Sequence, residues 1–186
     1  MPIKVYFDCY PCLMRQVLDA IKYLELDEET SREILNETMQ DLIRMEENVN
    51  SSELAAQIHQ HVIQKSGGAD PYLNVKEMSF HKATEQYDYA RQLIITAPDP
   101  LEMALKICTA GNVIDFGPAA DFDLRTAVEQ VLEAPFSHFD YKEFKSALGY
   151  AERILFLADN AGETLFDKLL IEQINKPLVY VVKSAP

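Results

Sequence analysis

The residues best suited to chemistry stand near the end of the chain, in Asp159-Asn160-Ala161-Gly162-Glu163. A carboxylate beside an amide oxygen offers hard donors, of the kind that Mg²⁺, Mn²⁺ or a similar divalent cation takes. Gly162 lets the backbone turn closely, and the amides that open a following helix can hold a phosphate. A cation and a phosphate held side by side are the equipment of phosphoryl chemistry. The same residues also suit an ordinary helix cap, in which Asp159 or Asn160 satisfies backbone amides and Glu163 favours the helix dipole.

Two other groups carry reactive side chains. Asn112 and Asp115 lie between Gly111 and Gly117, in a segment read as a loop or a short strand. Loops of that kind gather functional residues, and the same residue types also make plain turns. Cys9-Tyr10-Pro11-Cys12 sets two thiols at an expected strand-to-helix junction, where a helix N-terminus favours thiolate and a redox dithiol is the chemistry. A thioredoxin-like fold would need another strand soon afterwards, but helical patterns follow instead. A zinc site would need two more ligands. Cys108, His59, His61 and His81 are the soft candidates, and none of them makes a second Cys-x-x-Cys or a suitably spaced His pair. Two positions apart on a helix, His59 and His61 face different ways. The plain alternative for Cys9 and Cys12 is a pair of buried structural thiols.

The elements that must position these residues follow from periodicity. Ile154 to Ala158 is a short unbroken apolar run, the pattern of a strand buried on both faces. A helical pattern starts near Thr164 and stops at Asn175-Lys176-Pro177, and Leu178 to Val182 is a second β-branched run. A parallel strand–helix–strand unit is the economical reading, and ligands in such sheets sit beyond the carboxyl ends of the strands. Asp159, Asn160 and Glu163 fall there, and so does Lys183.

Upstream, almost everything reads as helix. Ile3 to Phe7 alternates weakly and suits a short strand. Leu13, Met14, Val17, Leu18, Ile21 and Leu24 share one helical face after Pro11. Asp27 opens a second helix. Asn50 with Glu53 opens a third, which Gly67-Gly68 closes. Asp70-Pro71-Tyr72 is a turn before a long helix from about Val75 to Ile95. Asp99-Pro100-Leu101-Glu102 combines an N-cap, a first-turn proline and a third-position glutamate ahead of a helix to Gly111. Asp123 and Asp140 cap two more helices. This order predicts a mainly helical domain over residues 1–98, then the start of an α/β metal- and phosphate-binding domain over 99–186.

Composition narrows the function class. A formal charge of −13 disfavours nucleic-acid and anionic-membrane surfaces, which need a positive footprint. No run approaches the roughly 18 apolar residues of a membrane span. Three cysteines do not make a secreted disulfide framework. These features predict a cytoplasmic protein with neither a nucleic-acid nor a membrane partner.

Taken jointly, five segments in order resemble the damage-control metal-dependent phosphatase family, long known only as a domain of unknown function. They are Asp8-Cys9-Tyr10-Pro11-Cys12 with Arg15-Gln16; Asp70-Pro71-Tyr72 with Lys76; Gly111-Asn112-Val113-Ile114-Asp115; Asp159-Asn160-Ala161-Gly162-Glu163; and Lys183-Ser184-Ala185-Pro186. The cysteine pair is similar to the archaeal and bacterial branch. The resemblance implies an N-terminal all-helical domain followed by a Rossmann-like α/β domain with a parallel sheet. It further implies a divalent metal (Mn, Co, Ni or Mg) and removal of phosphate from small phosphometabolites, such as phosphosugars or phosphopantetheine-like compounds. Carried over by position, Asp159 and Asn160 would be metal ligands at the catalytic centre. Asn112, Asp115, Glu163 and Lys183 would line the phosphate and substrate pocket. Cys9 and Cys12 remain a possible thiol site. In the family another metal-binding Asp follows the strand that ends here at Lys183, so the α/β domain is expected to be cut short.

Overall fold

A computed structural model of the chain describes residues 5–44, 50–113, 124–133 and 136–183. Among the described residues ten elements run in order: α1 (Cys9–Tyr23), α2 (Glu28–Arg44), α3 (Ser51–Lys65), α4 (Leu73–Thr96), α5 (Pro100–Val113), α6 (Leu124–Glu133), α7 (Tyr141–Tyr150), β1 (Ile154–Leu157), α8 (Thr164–Ile171) and β2 (Leu178–Val181). The described residues are mostly helical, with one small parallel sheet. The chain divides into two compact units, one up to Leu73 and one from Asn74 onward.

In the first unit α1, α2 and α3 pack on one another around Leu13, Val17, Ile21, Ile34, Leu42, Leu54, Ile58 and Val62. The helix ends follow local chemistry. Asp27 accepts the Thr30 backbone N–H at 2.9 Å and the Thr30 hydroxyl at 2.8 Å, and both bonds hold its carboxyl below the ordinary carboxylate value. Asn50 caps α3 through the Ser52 N–H at 3.0 Å, so the cap closes on the second residue of the helix. Gly67 and Gly68 both have positive φ, and their N–H groups return to the carbonyls of Gln64 and Ile63, which is the Schellman pattern. Glu25 closes α1 in the same way at φ 50°, with Glu25 N–H on Lys22 and Leu26 N–H on Ile21. Among the described residues of the expected strand over Ile3 to Phe7, no strand forms. Residues 3 and 4 lie outside the described residues, and Val5 to Phe7 lead through a turn into α1.

The second unit is built on Ala83, Ala90, Ile94, Ala104, Ile107, Ala110, Val128, Phe166, Leu169 and Leu170. Ala83, Ala90 and Ile94 of α4 belong to this cluster, so the compact unit that begins at Asn74 includes α4. Asp99 caps α5 by accepting the Glu102 N–H at 3.3 Å. Asp140 occupies the cap position of α7 without a side-chain capping bond, and Asp123 lies outside the described residues.

β1 and β2 pair in parallel, Ile154 with Leu178 through Leu157 with Val181. The inward residues Phe156 and Tyr180 pack with tilted rings, 5.4 Å between centroids, and Phe156 packs on the core around Phe166. The expectation of strands buried on both faces is corrected here. Leu155 and Leu157 are 64% and 70% exposed, and Val179 and Val181 are also exposed. Helix packing covers one face of the pair, so an unbroken apolar run did not mean two covered faces.

Candidate functional site

The parallel register sets the site. Ile154 N–H bonds the Pro177 carbonyl and Ala158 N–H bonds the Val181 carbonyl, so both strands reach their carboxyl ends together. Residues 159 and 183 then come level, and the Lys183 ammonium donates to Asp159 Oδ1. Both side chains are exposed, a surface ion pair of the kind that contributes only about 0–1 kcal/mol to stability. Its value lies in what it places at the sheet edge.

Asn160 behaves differently. Its Nδ2 donates to Glu163 Oε1 at 2.5 Å, and Glu163 is only 5% exposed. Glu163 stands at the cap position of α8 without a side-chain capping bond, while its carbonyl accepts from Phe166 and Asp167. The plain helix-cap alternative therefore fails, since neither Asp159 nor Asn160 caps α8. Glu163, expected among the residues lining the pocket, lies almost fully buried. The carboxylate is buried beneath the loop and holds the Asn160 amide, which leaves the amide oxygen on the other side of the group.

Sequence reasoning missed the layer below. Asp167, one turn after Glu163, is 3% exposed and accepts from Cys108 Sγ at 3.1 Å and from the Tyr180 hydroxyl at 2.7 Å. Burial, then the bond to Asp167 and its charge, with Glu163 adding, pushes both the Cys108 thiol and the Tyr180 phenol well above their ordinary values. Both therefore remain protonated donors near neutral pH. This network ties α5, α8 and β2 together behind the loop. The signal was available, because an aspartate inside an otherwise apolar helical stripe must find donors.

The Asn112 and Asp115 pair is only partly visible. α5 continues through Val113, so the backbone of Asn112 belongs to a last helical turn and not to a loop or strand. The Asn112 side chain and the whole of Asp115 lie outside the described residues. Gly111 fixes where that turn sits. A Cβ there would stand 2.7 Å from Phe166 Cδ2, so only glycine lets α5 approach the first turn of α8 this closely.

Cys9 and Cys12 belong to the first unit, in the opening turn of α1, and both are free thiols. Among the described residues no three His, Cys, Asp or Glu side chains stand together as a metal-binding group. No helix of the described residues is long and apolar enough to cross a membrane.

Comparison with known proteins agrees with this architecture. A family model described as "Damage-control phosphatase ARMT1-like domain" matches residues 5–186. An uncharacterized protein of Methanocaldococcus jannaschii is 28% identical over 193 residues, which cover 99% of this chain and 64% of that protein. A damage-control phosphatase of Archaeoglobus fulgidus is 26% identical, over 96% of this chain and 64% of its own length. The crystal structure of a DUF89 family protein from Pyrococcus horikoshii superposes with a TM-score of 0.85 at 26% identity, covering 99% of this chain and 66% of that one. The chain thus spans just under two thirds of the length of these relatives.

Proposed function

The chain belongs to the damage-control phosphatase ARMT1-like domain family, and from that membership we propose that it is the metal- and phosphate-binding part of a phosphomonoester hydrolase. The substrates would be small phosphometabolites, such as phosphosugars or phosphopantetheine-like compounds. β1, α8 and β2 would be one module of a Rossmann-like α/β domain. The observation that carries the reading is the common carboxyl edge of β1 and β2, which sets Asp159, Asn160 and Lys183 side by side.

The donor set suits a divalent cation in kind. Asp159 and the Asn160 amide oxygen would hold Mn²⁺, Co²⁺, Ni²⁺ or Mg²⁺, with water and phosphate oxygens completing the shell as hard cations of this size require. When bound, the cation would neutralise phosphoryl charge and favour attack by water. Glu163 fixes the Asn160 amide through the 2.5 Å bond, so that its oxygen is offered in one orientation. Lys183, exposed on a long stem, would turn to the phosphate oxygens and offset their charge. The amino-terminal end of α8 points its dipole at the same edge.

The test is release of inorganic phosphate from a panel of sugar phosphates and phosphopantetheine, with and without each of the four metals. The expected result is metal-dependent release that falls roughly 10–100-fold or more in Asp159→Ala. Absence of release with every metal, together with absence of Mn²⁺ binding by calorimetry, overturns the reading.

A further inference from the structure

The cysteine pair is outside the proposed hydrolytic site, in the other compact unit, and the phosphatase reading leaves it without work. Its surroundings are specific. Each sulfur accepts a hydrogen bond from an N–H group: Cys9 Sγ from the Tyr6 backbone at 3.4 Å, and Cys12 Sγ from Gln16 Nε2 at 3.4 Å. Gln16 is itself held, because its Oε1 meets His59 Nε2 at 3.1 Å. Burial keeps His59 neutral by lowering its pKa below the ordinary imidazole value. A neutral ring with Nε2–H donating to the Gln16 oxygen turns the Gln16 amide nitrogen toward Cys12. The edge of the Tyr72 ring, 5.7 Å from the His59 ring, completes the wall.

The backbone geometry suits closure. Cys9 and Cys12 are three residues apart in α1. An ideal helix puts such Cα atoms about 5 Å apart, inside the roughly 4.4–6.8 Å window of disulfides. Pro11 contributes no N–H to that turn. The Cys9 and Tyr10 amides already bond the Tyr6 and Phe7 carbonyls, so the N–H groups that serve the sulfurs are those of Tyr6 and Gln16. Access is asymmetric, since Cys12 is exposed and Cys9 is half-buried. Two thiolates leave a zinc ion two ligands short, and the described residues hold no metal-binding group of three.

We propose that Cys9 and Cys12 form a reversible dithiol–disulfide site that reacts with small disulfides, with Cys12 as the attacking sulfur and Gln16, held by His59, as its positioning residue. Cys12 attacks one sulfur of the disulfide, which forms a mixed disulfide and breaks the original S–S bond. The first thiol leaves with the proton that Cys12 gave up. Cys9 then attacks Cys12 Sγ, the protein S–S bond forms, and the second thiol leaves with the proton from Cys9. Two electrons pass from the protein to the small disulfide, which departs as two thiols.

The experiment treats the reduced 186-residue chain with bis(2-hydroxyethyl) disulfide and reads intact mass and peptide maps. The expected product has lost two hydrogens, carries no adduct, and has its bond between Cys9 and Cys12, with the half-buried Cys108 unmodified. Cys9→Ser should instead trap one stable adduct on Cys12. Gln16→Leu should slow the first step roughly three- to tenfold, and Gln16→Lys, which restores a donor, should recover the rate. A lasting mixed disulfide on the native chain, or a modified Cys108 with an untouched Cys9–Cys12 pair, overturns the proposal. If the substituted chains do not fold, the peptide map of the native chain alone decides it.

Discussion

Replacing Gly111 by alanine should destabilise the second unit by about 1–2 kcal/mol, although alanine is the better helix former. The intrinsic preference favours the substitution by about 0.8–1.0 kcal/mol in a helix interior. Against it stands the Phe166 ring, whose Cδ2 would lie 2.7 Å from the new Cβ, with Cβ and Cγ of the same side chain at 3.4 Å. Carbon pairs rest at roughly 3.5–4.0 Å, so the ring must retreat by about 1 Å. Phe166 is 1% exposed and packed among Ile107, Leu169 and Leu170, which leaves it nowhere to go without moving α8. Overpacking of that kind costs about 1–3 kcal/mol, and the absence of slack puts this site in the upper part of the range. The net loss should raise the exchange rate of the slowest α8 amides about 5–30-fold, read by native-state hydrogen exchange. Exchange localises the effect to one unit, which a global melt of a two-unit chain would not do. In a double-mutant cycle, adding Phe166→Leu should recover part of the alanine penalty because the clashing ring is gone. An α8 that exchanges more slowly in Gly111→Ala refutes the close-approach argument.

Three further outcomes follow from single contacts. Glu25→Gly should raise the stability of the first unit by about 0.5–1 kcal/mol in urea titration, because Glu25 closes α1 at φ 50°, where glycine carries no Cβ penalty. The Asp99 carboxyl is held at about 2 chiefly by its bond to Lys145, with the nearby Tyr141 hydroxyl adding, below the ordinary 3.8. A depressed folded pKa gives stability that is full above the ordinary value and lost as pH falls from about 4 toward 2. Asp99→Asn should therefore flatten the acid limb of the unfolding curve in that window. Lys183→Met should leave the thermal midpoint nearly unchanged, because the Asp159–Lys183 pair is exposed, yet abolish most phosphate release. Equal loss of stability and of activity would make the lysine a structural residue instead.

Helix positions were legible wherever local chemistry closed the ends. Asp27, Asn50, Asp99 and the Gly67-Gly68 stop act within a few residues of the backbone they satisfy, and the structure uses each of them. Legibility failed where distant packing decides. α5 runs on to Val113 because Gly111, a residue that reads as a stop, is required instead for close approach to Phe166. α4 joins the second unit because its Ala83, Ala90 and Ile94 belong to the core cluster that also holds Ile107 and Phe166, which no spacing within α4 announces. A glutamate in a left-handed cap gives no sequence signal at Glu25, where the usual marker is glycine.

The site divides along the same line. The placement of Asp159, Asn160 and Lys183 at one sheet edge was readable because parallel strands bring their carboxyl ends level, a rule that needs only the two strands and the helix between them. What holds Asn160 in place was not. Glu163 and Asp167 are four apart, so they share one helix face, and both are almost fully buried beside Phe166 and Leu170. Buried carboxylates without partners would cost several kcal/mol, so their position alone demands hydrogen-bond donors. The sequence cannot name those donors. Cys108 lies 59 residues before Asp167 and Tyr180 lies 13 after it, and each reaches it only through tertiary packing. Charge does the rest: protonated neutral donors satisfy Asp167 without cancelling it, so the loop above keeps a negative floor. Under the proposed function, a cation at Asp159 and Asn160 would be favoured by that floor, and a phosphate there would need Lys183.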